Sequence, residues 1–242
     1  MSVKKVPEDR WRAAQAWELD VWKQNCENGD DWNNWWFQKF DKYQALPNKI
    51  DRMIELGCGP FTNARLIVKD RAISMLVCSD PLASEYIKLS PTWLAQAYGN
   101  HSILIDNNPI ETCPQLPGSF DAVIMINVLD HVQDADVCMQ KAVGLVKPSG
   151  YIVIGQDLSN DDDIKKYPDD LGHPIRLTLE DLELHLVGFA SVLKKVLPRG
   201  EGRNPDAHYG TLVYIGKKPD ITAALDETNA MYDNMLRRLA NR

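Results

Sequence analysis

The stretch MIELGCGPFTNAR, residues 53–65, is the part of this 242-residue sequence that says most about its fold. An apolar run ends with the acid Glu55, and Gly57 and Gly59 follow on either side of Cys58. Glycine turns the backbone sharply and lets a ligand approach where a Cβ would stand in the way. The next residues favour a helix, whose first N–H groups have no partner within the helix. The stretch therefore predicts a strand, a ligand-binding turn and the start of a helix.

Two classes of cofactor use a turn of this kind. A dinucleotide places its pyrophosphate against the helix N-terminus and is usually accompanied by a G-x-G-x-x-G pattern. In this sequence Thr62 stands at the position of the third glycine. Glu55 would repel a diphosphate, whereas it would suit a cationic ligand that carries an ammonium and a sulfonium group. The pattern favours the cationic ligand, and a nicotinamide-dependent oxidoreductase is the alternative.

From residue 51 onwards, short apolar segments alternate with segments of helical character. Continuous apolar strands separated by helices are typical of a parallel sheet with helices on both faces. The sequence therefore predicts a doubly wound α/β fold with a mostly parallel, seven-stranded sheet. The predicted strands are residues 52–56, 73–78, 102–105, 120–126, 151–155, 191–197 and 209–215. Ligands bind outside the carboxyl ends of the strands in such sheets, and the glycine turn lies at that edge.

The N-terminal part of the chain has a different character. Helices are predicted over residues 8–27 and 31–45, and six of the seven tryptophans precede residue 37. These rings either pack the helices against the rest of the fold or line a lid over a substrate, and the two roles are compatible. We divide the chain into an N-terminal helical lid (1–50), a central domain (51–217) and a C-terminal helical tail (218–242).

Charge and composition limit the partners that this protein can bind. The formal net charge is −7, so most of the surface would repel a nucleic-acid backbone. The five cysteines form no C-x-x-C pair, which indicates a reduced protein without a disulfide framework. No apolar run approaches the ~18 residues of a membrane span. We expect a cytoplasmic protein, monomeric or homodimeric, that binds a small molecule and neither nucleic acid nor membrane.

Four segments of the sequence carry a resemblance to a known family. The motif ELGCGP, residues 55–60, resembles motif I of the class I S-adenosylmethionine (SAM) dependent methyltransferases. LVCSDP (76–81), IETCPQLPGSFDAVIMINVLDHV (110–132) and LVKPSGYIVIGQD (145–157) resemble the family's later segments, in the same order. KPSG, residues 147–150, is expected to be a turn before the fifth strand. The resemblance also implies that the last two strands form an antiparallel hairpin, with the final strand inserted beside the fifth.

The resemblance implies SAM as the cofactor and assigns positions around it. Asp80 would accept hydrogen bonds from both ribose hydroxyls through its two carboxylate oxygens. Glu55 and the glycine turn would contact or shape the methionine end. The implied cofactor-binding residues are Glu55, Gly57, Cys58 and Gly59 at the methionine end, Asp80 at the ribose, Pro81, Ile110 and Glu111 near the adenine, and Asn127 near the sulfonium. At the adenine edge the loop departs from the family's pattern, and Asn108 is the alternative to Glu111.

Methyl transfer from a sulfonium is an in-line displacement that depends mainly on positioning. A base is needed only when the acceptor must lose a proton. His131, which follows the fourth strand, and His173, in the polar loop 158–176, are the candidate catalytic bases; the alternative is that each packs or orients its loop. The acidic run 161–163 is expected to be a solvated loop, and no metal site is predicted.

The predicted function is methyl transfer from SAM to an oxygen or nitrogen of a small organic or sugar-containing metabolite. A non-catalytic SAM-binding protein that regulates a partner is the alternative from another functional class. The sequence does not distinguish oxygen from nitrogen as the acceptor.

Overall fold

The computed structural model describes residues 2–29, 32–166, 170–206 and 209–220. The helices are α1 (Glu8–Asn25), α2 (Trp32–Lys39), α3 (Ala64–Ile67), α4 (Ala83–Tyr86), α5 (Trp93–Gly99), α6 (Ala135–Leu145), α7 (Asp161–Lys166) and α8 (Leu179–Leu186). The strands are β1 (Lys49–Leu56), β2 (Ala72–Ser79), β3 (Leu104–Asp106), β4 (Phe120–Ile126), β5 (Val146–Leu158), β6 (Ala190–Pro198) and β7 (Gly210–Lys217).

The seven strands form one sheet in the order β3-β2-β1-β4-β5-β7-β6. The first five strands in this order are parallel, and β7 runs antiparallel to both β5 and β6. This arrangement confirms the predicted fold class, including the last strand inserted beside the fifth. The strand order reverses between β1 and β4, which places a ligand crevice at the carboxyl ends of these two strands.

The sheet is covered on both faces because its strands are apolar on both faces. Alternate residues of β1 point to opposite sides, so Met53 joins one core cluster and Ile54 joins the other. The cluster that contains Ile54 also holds residues of α6 and α8, and the cluster that contains Met53 also holds residues of α2, α3 and α5. Burial of these continuous apolar runs is the main driving force for the three-layer arrangement.

The N-terminal segment is fastened to the central domain. Val3 forms an antiparallel bridge with Arg176, and Lys5 forms one with Asp134. In α2, Trp36 is 2% exposed and packs in the core. The tryptophans of this region therefore do help to pack the helices, as one of the two predicted roles requires.

Several predicted boundaries differ from the structure. The KPSG segment, residues 147–150, falls inside β5 but has no partner on β4, which pairs with Val146 and again from Tyr151 onwards. The predicted turn is therefore an irregularity within the strand, where Ser149 has φ +62°. The second predicted helix ends at Lys39 instead of residue 45. The polar loop 158–176 contains the short helix α7. Residues 221–242 of the predicted helical tail lie outside the described residues.

A search of the described ranges for membrane spans finds no helix with the required length and apolar character.

Candidate functional site

A cavity of about 690 Å³ opens at the carboxyl ends of β1, β2 and β4. Its floor includes the glycine turn and the residues that follow β2 and β4, and its other wall comes from α1 and α2. The volume lies in the ~300–1,000 Å³ range of small-molecule sites. The sheet topology and the cavity therefore agree on the position of the site.

The glycine turn that forms part of this floor depends on both of its glycines. Gly57 has φ +65°, and a Cβ there would lie 2.4 Å from Cγ1 of Val128. Gly59 has φ +56° and faces open space, with no atom within 4 Å of a built Cβ. The turn is joined to β2 because the N–H groups of Gly57 and Cys58 donate to the carbonyl of Ser79 at 2.7 and 3.1 Å.

Cys58 lines the cavity but is itself 4% exposed. Burial, together with a hydrogen bond and a charge interaction with Cys78, raises the pKa of its thiol. The neutral thiol is therefore a packing element of the turn rather than a nucleophile.

Glu55 lies beneath the turn and is not among the residues that line the cavity. Its carboxylate accepts hydrogen bonds from the N–H groups of Asn63 and Ala64, both at 2.8 Å, where α3 begins. Burial raises the pKa of this carboxyl to about 7, against the hydrogen bonds from Ala64 and Asn63, which lower it. Glu55 therefore shapes the turn and the start of α3, whereas direct contact with a ligand, the other role that the resemblance allows, stays a prediction.

Asp80 follows β2, lines the cavity and is 8% exposed. Its Oδ2 accepts from the N–H of Gly59 at 3.1 Å, and its Oδ1 accepts from the N–H of Leu82 at 2.8 Å. Burial raises the pKa of this carboxyl to about 6, while the hydrogen bonds from Leu82 and Gly59 oppose the rise. The backbone thus holds the carboxylate in a fixed orientation at the cavity, and Pro81 lines the cavity beside it.

Ile110 and Glu111 also line the cavity. They belong to a short 3-10 helix, Ile110–Thr112, which precedes β4. Ile110 is buried. The Glu111 carboxylate accepts hydrogen bonds from the N–H groups of Gln133 and Asp134, at 3.1 and 3.0 Å. Glu111 therefore connects its own turn to the start of α6, and this contact is a structural role that the sequence did not indicate.

Asn127 ends β4 with φ +55° and lines the cavity. In the amide orientation that satisfies both of its polar atoms, it donates to Asp157 at 3.0 Å and accepts from Arg203 at 3.3 Å. Arg203 forms an ion pair with Asp157 at 2.9 Å and lies 4.7 Å above the ring of Trp32. This network joins β4, β5, the β6–β7 connection and α2 at one edge of the cavity.

His131 and His173 also line the cavity and lie together, with ring centroids 4.7 Å apart. His131 Nε2 is 3.8 Å from Oδ1 of Asp130. Its Nδ1 is buried, has no hydrogen-bond partner among the described residues and is 4.0 Å from Oε2 of Glu18. The structure therefore brings both candidate bases to the same place, although 42 positions separate them in the sequence.

His173 is oriented by Asp170, whose two carboxylate oxygens are 2.9 and 3.0 Å from Nδ1 of the imidazole. Burial lowers the pKa of His173, but the hydrogen bond to Asp170 and the charges of Asp130, Asp170 and Glu18 outweigh it, so the pKa is raised. The same pairing lowers the pKa of Asp170 against the effect of burial. Asp170 therefore fixes the orientation of the His173 imidazole, and the surrounding carboxylates favour its protonated form.

Asp130, His131 and His173 form a group of potential metal ligands in the part of the chain that is described. One carboxylate oxygen and one imidazole nitrogen from each histidine lie within 4.8 Å of one another. These atoms are of the donor types that zinc and related ions bind.

The sequence analysis missed two charged residues that line the cavity, Glu18 and Arg203. Glu18 belongs to a face of α1 that also carries Trp11, Gln15 and Trp22. The intervals of 4, 3 and 4 residues between these positions are those of one helix face, so this pattern could have identified the cavity-facing side. No comparable local pattern marks Arg203, which reaches the cavity only through the β6–β7 connection.

Residues 54–154 match a family model described as a methyltransferase domain. No curated protein matches the sequence. Among solved structures, 1,6-didemethyltoxoflavin-N1-methyltransferase of Burkholderia thailandensis, with 1,6-didemethyltoxoflavin and S-adenosylhomocysteine bound, is similar at TM-score 0.60 and 14% identity, covering 91% of this chain and 94% of that one.

Two further structures show the same fold. The [4+2]-cyclase SpnF has a TM-score of 0.64 at 14% identity and covers 90% of this chain and 99% of its own. The N-methyltransferase NodS of Bradyrhizobium japonicum has a TM-score of 0.55 at 14% identity and covers 78% and 95%. At this identity the likeness concerns the fold alone, and a cyclase among these structures shows that the fold does not determine the reaction.

Proposed function

We propose that the protein transfers the methyl group of SAM to an oxygen or nitrogen of a small organic or sugar-containing metabolite. The match of residues 54–154 to a methyltransferase-domain model, and the fold shared with a methyltransferase that holds S-adenosylhomocysteine, support this proposal. The observation that carries this proposal is the Asp80 carboxylate. It is held by the N–H groups of Gly59 and Leu82 at the edge of the crevice between β1 and β4.

The residues of the cavity fit a nucleoside with a cationic sulfur. The Asp80 carboxylate keeps acceptor capacity for ribose hydroxyls, because each of its oxygens receives one backbone hydrogen bond in the structure. Gly59 leaves the floor of the cavity without a side chain. The acids Glu18, Asp80 and Glu111 all line this space, and their charge favours a cation over a diphosphate.

The acceptor binds next to His131 and His173 in this proposal. SAM supplies an electrophilic methyl group, and a lone pair of the acceptor forms the new bond while the carbon–sulfur bond breaks. Because Asp170 holds Nδ1 of His173, the Nε2 atom of this residue is the one that accepts a proton from the acceptor. His131 contacts the acceptor from the other side and keeps it in line with the methyl group.

Helices α1 and α2 act as a lid over the acceptor. Six aromatic side chains from the two helices and the glycine turn border the cavity, namely Trp11, Trp17, Trp22, Trp32, Trp36 and Phe61. Such a wall suits a flat or sugar-containing organic molecule. All five cysteines are thiols rather than disulfides, which supports the proposal that the protein works in the cytoplasm.

The test is titration calorimetry of the purified chain with SAM, S-adenosylhomocysteine (SAH) and NAD, followed by transfer of a labelled methyl group into a metabolite extract. We expect binding of SAM and SAH, no binding of NAD, and a labelled small molecule whose amount falls in a His131→Ala variant. Binding of NAD alone would instead support an oxidoreductase. Binding of SAM without transfer to any extract would support a non-catalytic SAM-binding protein.

A further inference from the structure

Glu18 occupies a defined position on the cavity-facing side of α1. Its Oε1 accepts a hydrogen bond from the indole Nε1 of Trp22 at 2.7 Å, one helical turn further along. Its Oε2 lies 4.0 Å from the buried Nδ1 of His131. The side chain is 24% exposed, so the carboxylate is held in place but is still open to the cavity.

The charge of Glu18 acts on both ends of the cavity. It is one of the charges that raise the pKa of Asp80, on the β2 side. It is also one of the charges that raise the pKa of His173, on the acceptor side. Glu18 lines the same cavity as Asp80, His131 and His173, and its carboxylate lies 4.0 Å from Nδ1 of His131.

The covalent structure of SAM determines which of its groups lies near Glu18. The sulfonium is one methylene group away from the ribose, and its methyl group must face the acceptor. A SAM molecule whose ribose is bound by Asp80 and whose methyl points toward His131 and His173 therefore has its sulfonium between them. We infer that Glu18 binds the sulfonium of SAM, an inference that rests on the proposed function.

This role makes Glu18 selective for the cofactor over its by-product. The sulfur of SAM is positively charged, whereas the sulfur of SAH is neutral after the methyl group has left. A carboxylate near this atom attracts SAM and gains nothing from SAH, so it favours exchange of the by-product for new cofactor. The positive charge is already declining in the transition state, so this interaction stabilises the ground state more and contributes to binding rather than to the chemical step.

The test compares Glu18→Gln with Asp20→Asn. Asp20 lies two positions further along α1, is exposed and pairs with Lys23, so its substitution removes the same charge from the same helix away from the cavity. We expect Glu18→Gln to weaken SAM binding about tenfold and SAH binding by less than about twofold, whereas Asp20→Asn changes neither. Equal weakening of SAM and SAH, or no change in either, would overturn the inference.

A second variant and a kinetic readout separate this role from a structural one. Glu18→Asp keeps the charge and should retain most of the preference for SAM, while thermal unfolding checks that all variants fold. In steady-state kinetics, Glu18→Gln should raise the KM for SAM and leave kcat unchanged or slightly higher, because the lost interaction stabilises the ground state more than the transition state. If the unmodified chain binds neither SAM nor SAH, the proposed function fails; if it binds both and only the variant behaves differently from this expectation, the Glu18 inference alone fails.

Discussion

The two ends of the cavity are built in different ways. At the cofactor end, the glycine turn after β1 and Asp80 after β2 come from neighbouring parallel strands and are fixed by backbone N–H groups. At the acceptor end, the side chains come from α1, from the segment after β4 and from the loop after β5. Sheet register alone positions the first end, whereas the second exists only when distant segments pack together.

This difference teaches which part of the molecule is able to vary. A backbone-held cofactor site needs few particular side chains beyond two glycines and an acid. The acceptor end depends on how α1 docks, for example on hydrogen bonds from the side chains of Trp11 and Gln15 to the carbonyl of His131, at 3.1 and 3.2 Å. We expect substitution of His173 at the acceptor end to change catalysis, and substitutions at the cofactor end to change binding and stability.

The largest expected effect comes from His173→Ala. Loss of a proton acceptor should reduce labelled methyl transfer about 10²- to 10⁴-fold. SAH affinity, which reports on the cofactor end, should stay within about twofold because no transferred proton is involved. The measurement is a pair of assays on each variant, methyl transfer and calorimetry with SAH.

His185→Ala is the matched control for this experiment. His185 is also paired with an aspartate, Asp136, at 2.9 Å, but it lies on α8 away from the cavity. Its substitution should leave both assays unchanged. A similar loss of SAH affinity and of transfer in His173→Ala would show that the two ends of the cavity are not separable in the way proposed here.

The sequence could predict the cofactor end because its signals are local. The strands follow from short apolar runs, and the glycine turn follows from the residues directly after the first of them. The assignment of Asp80 and the insertion of the last strand beside the fifth come from the resemblance to the methyltransferase family. In contrast, the role of Glu55 depends on where α3 begins. Glu18 contacts His131, more than a hundred positions away, and Arg203 contacts Asp157, several tens of positions away. Periodicity within one segment does not contain such long-range packing.

The boundaries were predicted less well. Residues 147–150, predicted as a turn, fall inside β5 but have no ladder partner on β4 or β7, whose pairing with β5 resumes at Tyr151. Ser149 has φ +62°, a conformation of turns rather than of extended strands. The turn is therefore present, and the difference lies in the boundary of the strand that contains it.

A second prediction concerns the backbone of the glycine turn and compares the loss of stability on substitution of its two glycines. Gly57→Ala should lower the free energy of unfolding by about 3 kcal/mol, because it adds strain at positive φ and a clash with Val128. Gly59→Ala adds the strain alone and should cost about 1 kcal/mol. Urea denaturation of both variants measures the difference. Equal losses would show that the contact with Val128 relaxes without cost.

A third prediction tests the fixed carboxylate of the cofactor end. Asp80→Asn removes the charge and replaces one carboxylate oxygen by an NH2 group, which cannot accept a hydrogen bond. One of the two backbone hydrogen bonds, from Gly59 or Leu82, is therefore lost. We expect SAH affinity to fall about 10- to 100-fold, the effect of weakening charge-assisted hydrogen bonds. Asp51→Asn, at an exposed position of β1, is the control and should leave SAH affinity unchanged. An unchanged affinity in Asp80→Asn would place the ribose elsewhere.

The smallest expected effect is a pH dependence that originates beneath the cofactor end, at Glu55. The pKa of this carboxyl is about 7 in the folded protein and lies near 4.5 when the chain is unfolded. Between these two pH values, Glu55 is therefore protonated in the folded state and ionised in the unfolded state. The resulting stability is fully present below the unfolded pKa and is lost as the pH rises through about 7.

Urea denaturation of the unmodified protein and of Glu55→Gln at several pH values measures this contribution. Between pH 6 and pH 8 the unmodified protein should lose about 1 kcal/mol of unfolding free energy relative to Glu55→Gln, since the amide does not titrate. Glu180→Gln removes an exposed carboxyl at the start of α8 and should leave the pH profile of the unmodified protein intact. Parallel profiles for the unmodified protein and Glu55→Gln would mean that the hydrogen bonds from Asn63 and Ala64 keep Glu55 ionised throughout. The cofactor end would then carry a fixed negative charge beneath its turn, and its preference for a cation would no longer depend on the acids that line the cavity.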